Sequence, residues 1–363
     1  MQIGRLKVTD FRNYKEADLE FCGGINMLYG KNAQGKTNLL EALWLFTAAK
    51  SFRAAQDGEM IRFSADSATV QTEYTAFGRK QTAEIIISTG KRKLLRLGGA
   101  PLEKTSALLG QFPAVMFSPD ELHIITGAPE VRRRFTDSAI SAFRPAYYGA
   151  LRTYIRVWKQ KNALLKHSPA KEILSPWNEQ MAEVGATLMQ YRKEFFARLA
   201  PLAAKVHLEV AGKDEEMEVC YVPSVPLKET KKEQAEALYT ALEKKRDAEI
   251  YTGLSLIGPH RDEMRFFIQK KDARAFASQG QMKTAAVALK IAQGLLLEEE
   301  IGEPPAVFLD DILGELDEDR RTYLLSHMHN KQVILTCTEQ DAVKLEGETR
   351  FFRVEGGTVC IST

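Results

Sequence analysis

The stretch Gly30-Lys31-Asn32-Ala33-Gln34-Gly35-Lys36-Thr37 constrains this chain more than any other. Its G-x-x-x-x-G-K-T spacing is that of a phosphate-binding loop. Glycines let the backbone curl until consecutive N–H groups face inward, forming an anion nest at a helix N-terminus. Lys36 then reaches the β- and γ-phosphates, and the Thr37 hydroxyl ligates Mg²⁺. Both flanks agree. Upstream, "GINMLYG" is an apolar run of strand length, and downstream "KTNLLEALWLFTAA" spaces its apolar residues as a helix does. Strand, loop and helix in that order predict a nucleoside triphosphate site.

Length and composition bound the rest. A chain of 363 residues buries a large core in one or two domains. A net charge of +2 argues for no partner, so local clustering has to carry that case. Cys22, Cys220, Cys337 and Cys360 lie far apart with no C-x-x-C pair, which excludes a zinc ribbon and suggests reduced thiols. No apolar run reaches the roughly 20 residues that span a bilayer, and no signal-peptide pattern opens the chain. The expectation is a soluble, cytoplasmic protein without a membrane partner.

Along the chain, "IGRLKVTDF" and "GINMLYG" read as two strands around a polar turn, and "SATVQTEY", "TAEIIIS" and "KLLRLGG" as further strands joined by hairpins. From about 116 to 212 the period is helical. "LKETKKEQAEALYTALEKKRDAE" mixes both charges at helical spacing and reads as a solvated helix. Strands return at "MEVCYV", "MRFFIQ", "PAVFLDD" and "QVILTC", alternating with helices. The pattern predicts an α/β protein with two lobes. Residues 1–115 and 295–363 form the first, and a mainly helical segment over 116–294 forms the second.

Two more segments carry chemistry. "PAVFLDDILGELD" sets an apolar strand directly before Asp310 and Asp311. A buried strand ending in a carboxylate suits Asp310 as the second Mg²⁺ ligand, and Asp311 as the group that polarises the attacking water. An acidic helix cap is the plainer alternative. "ASQGQMKTAAVALKIAQGLL" opens a long helix with Ser278, Gly280 and Gln281, small or polar residues that let a phosphate approach, although an ordinary N-cap reads the same way. Residues 131–171 hold ten Lys or Arg and one acid, Asp137, with aromatic residues between them. Arg132 and Arg133 open this run. On a helix Arg152, Arg156, Lys159 and Lys166 share one stripe beside an apolar stripe of Leu151, Ile155, Trp158 and Leu165. That is the footprint of a phosphate-backbone contact with DNA, or else a solvated amphipathic helix.

Together these segments resemble the ATP-binding-cassette class, within it the SMC/Rad50-type heads, and most closely the RecF family of DNA replication and repair proteins. The resemblance is carried by "FRNY" (11–14), "GKNAQGKTNLLEA" (30–42), "KSFR" (50–53), "FSPDEL" (117–122), "RRRFTD" (132–137), "QKNALLK" (160–166), "GPHRDE" (258–263), "SQGQMKT" (278–284) and "LDDILGELD" (309–317). It implies a Rad50-head-like cassette lobe plus a helical lobe, with no long coiled coil. It also implies ATP and Mg²⁺ as cofactors, with Arg12, Asn32 and the rest of the loop through Asn38 at the nucleotide. Ser278, with Gly280 and Gln281, would complete the ATP site of a second copy, and Asp317 would lie at that seam. The implied activity is a slow, DNA-stimulated ATPase of recombinational repair that dimerises with ATP on gapped or junction DNA. RecR and RecO would be its partners in loading the recombinase. His260 and Arg261 would touch DNA or the opposing lobe, or form a structural pair. The cassette switch histidine is missing, leaving Thr336 or Thr338 at its place in "ILTCTEQ", and Gln111 is the candidate for the cassette glutamine. Two other classes fit the loop alone: the ATPase subunit of a transporter, and a nucleotide-dependent scaffold without turnover.

Overall fold

The structure, a computed structural model, describes residues 1–167, 169–212, 215–340 and 347–362. Its first elements are β1 (Gln2–Phe11), β2 (Tyr14–Glu20), β3 (Ile25–Tyr29), α1 (Lys36–Ala48), β4 (Ser67–Ala76), β5 (Arg79–Ser88), β6 (Leu94–Leu97), β7 (Ala100–Pro101), β8 (Ala114–Phe117) and α2 (Pro119–Leu122). Then come α3 (Pro129–Phe143), α4 (Pro145–Leu165), α5 (Lys171–Ala211), β9 (Met217–Val222), α6 (Lys231–Thr252), β10 (Glu263–Ile268), β11 (Lys271–Asp272), α7 (Ala273–Phe276) and α8 (Gln279–Ile301). The chain closes with β12 (Ala306–Asp310), α9 (Glu318–Ser326), β13 (Val333–Cys337), β14 (Thr349–Glu355) and β15 (Thr358–Ser362). Two compact units result: Met1–Leu122 with Gln293–Thr363, and His123–Ala292.

The first unit holds two sheets. In one, β14, β3, β13, β12 and β8 lie parallel in that order, and β15 pairs antiparallel at the β14 edge. Parallel strands are covered on both faces and therefore read as continuous apolar runs. Accordingly β8, β12 and β13 are buried at every residue. The other sheet, β2-β1-β4-β5-β6-β7, is antiparallel and alternates buried with exposed residues, as one-sided packing requires. Helix α1 joins the two. Its Leu39, Leu40, Leu43 and Phe46 share one core with Leu6 and Val8 of β1, Leu28 of β3, Phe308 of β12 and Ile334 of β13. Each such side chain contributes about 1.5–3 kcal/mol, so the helix behind the phosphate loop is firmly anchored.

Three features depart from the sequence reading of this unit. The supposed polar turn after β1 is a strand, β2, whose Tyr14, Ala17 and Leu19 face inward between charged residues. The chain after "QVILTC" adds β14 and β15, for which the sequence pattern sets no expectation. The first segment extends past 115, because β8 pairs with β12 through Phe117 and α2 follows it to Leu122.

The second unit packs α3, α4, α5 and α6 with the antiparallel sheet β11-β10-β9. At 41 residues α5 is roughly 60 Å long. Helix α6 starts at a capping box, in which Thr230 Oγ1 accepts the Glu233 N–H while the Glu233 carboxylate accepts the Thr230 N–H. It is not merely solvated: Gln234, Leu238, Leu242 and Glu249 form a buried face, and the helix packs on α5. The apolar stripe expected on α4 is also displaced. The buried residues are Tyr147, Tyr154, Val157, Lys161 and Leu165, while Ile155 is 37% exposed. The cause is a polar interior. Lys161 and Glu249, both wholly buried, pair at 2.6 Å. Buried Arg192 donates to Asp262 at 2.9 Å, Asp137 at 2.8 Å and the Pro259 carbonyl at 2.7 Å. Buried charges persist only where they are paired and hydrogen-bonded in this way.

Candidate nucleotide-binding site

In open parallel sheets ligands bind beyond the carboxyl ends of the strands. Here β3, β13 and β12 are neighbours, and all three end in chemistry. β3 runs into the loop 30–37, β13 carries Thr336 and Cys337, and β12 ends on Asp310.

The loop curls as its glycines allow. Gly30, Ala33 and Gly35 all have positive φ, at 151°, 63° and 115°. A Cβ at Gly30 would lie 2.3 Å from the Val354 carbonyl oxygen. One at Gly35 would lie 2.6 Å from the Asn13 carboxamide and 2.8 Å from the Tyr14 hydroxyl. The backbone is thus clamped from β14 on one side and from the β1–β2 turn on the other. Asn13 Nδ2 donates to the Gln34 carbonyl at 2.8 Å, and Asn38 Nδ2 donates to Asn13 Oδ1 at 2.9 Å. Gln34 Oε1 accepts the Gly356 N–H at 2.7 Å. Lys31, Asn32 and Ala33 are exposed at the mouth.

Lys36 is 6% exposed, and its ammonium donates to the Gly30 carbonyl at 2.6 Å and the Lys31 carbonyl at 3.0 Å. Burial lowers its pKa, while Asp311, Cys337 and Asp310 pull it back up. Thr37 Oγ1 donates to Asp310 Oδ1 at 2.8 Å, which joins the two expected metal ligands across the sheet. Thr336 Oγ1 donates to the same oxygen at 2.9 Å. Burial raises the Asp310 pKa, and the two hydroxyls partly offset it. Asp311 is exposed, with φ 53°, and its N–H donates to Thr336 Oγ1 at 2.8 Å. Thr336 therefore touches both acids, while Thr338 is exposed; of the two switch candidates, Thr336 lies in the site. Gln111 does not. It precedes the start of β8, which pairs with Ala306 at the start of β12, so it lies at the opposite end of the sheet from Asp310.

Arg12, at φ 54° in the β1–β2 turn, forks onto wholly buried Glu41 of α1 at 2.8 and 2.6 Å and also donates to the Glu59 carbonyl. It braces the helix behind the loop. Asn13 and the Gly356–Gly357 turn are site residues that the sequence reading misses. The signal for the latter is a paired glycine opposite a close backbone: a Cβ at Gly357 would sit 2.5 Å from the Asn13 carbonyl.

The remaining expected residues lie elsewhere. Asp317 caps α9 by accepting the Arg320 N–H at 3.0 Å. Ser278 and Gln281 belong to the second unit, where they cap each other at the start of α8. Arg152, Arg156 and Lys159 are exposed along α4. Arg132 is not a surface cation. It is 4% exposed, forks onto Glu263 at 2.7 and 2.9 Å, and donates to the carbonyls of Ile124, Ile125 and Gly127. Arg133 is half-buried and donates to the Asp262 carbonyl at 3.1 Å. Arg132 and Arg133 stabilise the fold, Arg134 is exposed beside Glu130, and the exposed basic stripe lies on α4.

Residues 2–358 match the model of the RecF/RecN/SMC N-terminal domain. The chain is 35% identical to the DNA replication and repair protein RecF of Acetivibrio thermocellus, over 98% of this chain and 99% of that one. It is 36% identical to the RecF protein of Bacillus cereus, over 99% and 98%. Among solved structures it superposes with a TM-score of 0.94 on the recombination mediator protein RecF-ATPrS of the RecFOR pathway. That relative is 32% identical, with 99% of this chain and 98% of that chain covered. An Smc head domain from Pyrococcus furiosus, 13% identical with a TM-score of 0.56, shares the fold alone. On these grounds, and on the phosphate loop and paired Thr37 and Asp310 just described, the chain belongs to the RecF family of SMC-like proteins.

Proposed function

We propose that the protein is an ATP-dependent DNA-binding protein of recombinational repair and replication-gap maintenance, in which slow ATP hydrolysis resets an assembly. The observation that carries the reading is the meeting of the loop, Thr37, Asp310, Thr336 and Asp311 at the ends of three adjacent parallel strands. The relatives solved with ATP and with ATPrS support ATP as the nucleotide.

Thr37 and Asp310 fit Mg²⁺, because a hydroxyl and a carboxylate side by side are the hard oxygen ligands it takes. Among the described residues no group of three or more His, Cys, Asp or Glu could hold an ion by itself, which suits a metal shared with phosphates. When bound, the ion neutralises phosphate charge. The backbone N–H groups of the loop and the Lys36 ammonium hold the phosphates. Asp311 orients and deprotonates the attacking water from the end of β12, and its shorter side chain, where cassette ATPases usually carry glutamate, keeps turnover slow. Ser278 of a second copy closes on the γ-phosphate, so that ATP joins two chains. Exposed Arg152, Arg156 and Lys159 on α4 supply contacts to the DNA backbone.

The RecFOR pathway named for the solved relatives supports RecR and RecO as partners at single-strand gaps in the cytoplasm. Sedimentation with ATP, with ADP and without nucleotide, each with and without gapped DNA, tests the reading. An ATP-specific dimer that persists on DNA supports it. A monomer under every condition, or an ATP dimer that releases no phosphate, leaves a nucleotide-binding scaffold in its place.

A further inference from the structure

Gln281 holds the start of α8 in place. Its Oε1 accepts the Ser278 N–H at 2.8 Å, and its own N–H donates to Ser278 Oγ at 3.2 Å, a reciprocal cap. With Oε1 committed, the carboxamide NH₂ points the other way and donates to Glu215 Oε2 at 2.8 Å. The other oxygen of Glu215 lies 3.1 Å from Nε2 of His207. His207 is wholly buried near the end of α5, and burial pushes its pKa below the usual imidazole value. A neutral ring facing a carboxylate carries its proton on Nε2. Among the described residues its buried Nδ1 has no hydrogen-bond partner, a cost that the charge-assisted bond to Glu215 offsets.

We propose that Glu215, seated by His207, is a positioning residue for Ser278: it fixes the Gln281 carboxamide in the one flip that presents the Ser278 hydroxyl to a nucleotide held by a second copy of this chain. The inference rests on the reading of Ser278 as a contact made across two copies. A helix cap needs only the Ser278–Gln281 pair. The carboxylate behind it, itself oriented by a buried imidazole, adds control of the amide flip. Because Ser278 Oγ accepts from Gln281, its O–H is left as the donor that a phosphate oxygen requires.

The test compares Glu215→Ala, the isosteric Glu215→Gln and Ser278→Arg in the full chain. Three readouts are needed: calorimetric ATP affinity, the thermal midpoint, and the dimer constant from sedimentation with ATP. Losing the charge-assisted hydrogen bond to Gln281, together with the His207 bond behind it, should weaken the ATP-driven dimer of Glu215→Ala roughly tenfold, with ATP affinity unchanged and the midpoint lowered by no more than a few degrees. Glu215→Gln should fall between Glu215→Ala and the unmodified protein, since one amide oxygen serves one donor where a carboxylate serves two. The proposal fails if both Glu215 variants dimerise normally while Ser278→Arg is blocked. It fails too if dimerisation is lost only together with ATP affinity and thermal stability, which is the signature of a merely structural role. Normal dimerisation of Ser278→Arg would remove the parent reading, and this one with it.

Discussion

Thr336→Val isolates the hydroxyl that links the two acids. Thr336 is 1% exposed, and valine fills nearly the same volume, so the change leaves no cavity. Two bonds disappear: the 2.9 Å donation to Asp310 Oδ1 and the 2.8 Å bond accepted from the Asp311 N–H. A hydrogen bond to a charged group is worth about 1.5–3 kcal/mol and a neutral one about 1 kcal/mol. Thr37 still donates to the same oxygen of Asp310, so the lower part of that range applies, and the expected destabilisation is about 2–3 kcal/mol. Urea unfolding of the nucleotide-free protein should therefore show a clearly lowered midpoint with an unchanged slope. Catalysis should suffer more than binding. The Asp311 backbone, at φ 53°, lies in a region that costs about 1–2 kcal/mol for a non-glycine residue, and it loses the bond that holds it there, whereas Lys36 and the loop are untouched. ATP affinity should fall by a few-fold at most while phosphate release drops by at least tenfold. A normal unfolding midpoint together with normal phosphate release would refute the assignment of Thr336 as the residue that sets both acids.

Four further outcomes follow from the geometry. Asp310 has its folded pKa raised by burial, so its charge costs the empty protein stability above the ordinary carboxylate range; as pH rises from below its unfolded to above its folded pKa, that stability is lost. Asp310→Asn should make the nucleotide-free protein more stable near pH 7 and flatten that part of its pH profile in thermal melts, while abolishing Mg²⁺-dependent ATP hydrolysis. Arg132→Ala should cost about 3 kcal/mol in urea unfolding by leaving Glu263 without its partner, without changing the salt dependence of DNA binding. The triple change of Arg152, Arg156 and Lys159 to Glu should do the reverse, lowering the log–log salt slope by roughly 0.7–0.9 for each phosphate that is no longer neutralised. Asp311→Asn should retain ATP and accumulate as a dimer with a long lifetime after dilution; normal phosphate release would show Asp311 to be a mere acid at a strand end.

The nucleotide site was legible because a phosphate loop is a local object. Gly30, Gly35, Lys36 and Thr37 are fixed by the conformation of one turn, in which both glycines have positive φ and neither has room for a Cβ. Asp310 was legible for a related reason, since a strand buried on both faces is apolar until the residue at which it leaves the sheet. What stayed hidden was whatever reaches the loop from distant sequence. Asn13 lies 21 residues before Gln34 and Gly356 lies 322 residues after it, and no local period announces a hydrogen bond across such a gap. The choice between Thr336 and Thr338 was hidden for another reason. Both side chains have the same chemistry, and two residues apart the pleat would turn them to the same side; only the end of β13 at Cys337 separates a buried hydroxyl from an exposed one.

The second unit shows why dense polar motifs are hard to assign from sequence. "GPHRDE" has the residue types of a binding site, yet most of its polar side chains are engaged inside the unit, Arg261 alone being exposed. His260 stands between the Tyr154 hydroxyl at 2.7 Å and the Ser255 carbonyl at 3.1 Å, and burial takes its pKa down to about 3. A neutral imidazole with both nitrogens engaged offers nothing to a phosphate. Arg261 turns back onto the same carbonyl. Asp262 accepts from Arg192, Tyr221 and the Ser224 N–H, and Glu263 receives the fork of Arg132. Gly258 is required because a Cβ there would lie 2.2 Å from the Tyr154 hydroxyl that reaches His260. Residues 258–263 thus join α3, α4, α5 and β9 through ion pairs and hydrogen bonds. A rule that equates burial with apolarity places Leu151 and Ile155 inward and leaves Lys161 out. Instead Lys161 is buried, Leu151 is half-buried and Ile155 faces solvent, because a paired lysine can occupy the interior and an isoleucine can face solvent at little cost. Polar motif types like those of the candidate nucleotide site therefore serve mainly as architecture at residues 258–263, and the discriminating variable is whether their donors and acceptors are already satisfied. On α4 the side chains of Arg152, Arg156 and Lys159 are exposed and form no ion pair among the described residues, which is why we propose the DNA contact there and not at Arg132, whose guanidinium is buried against Glu263.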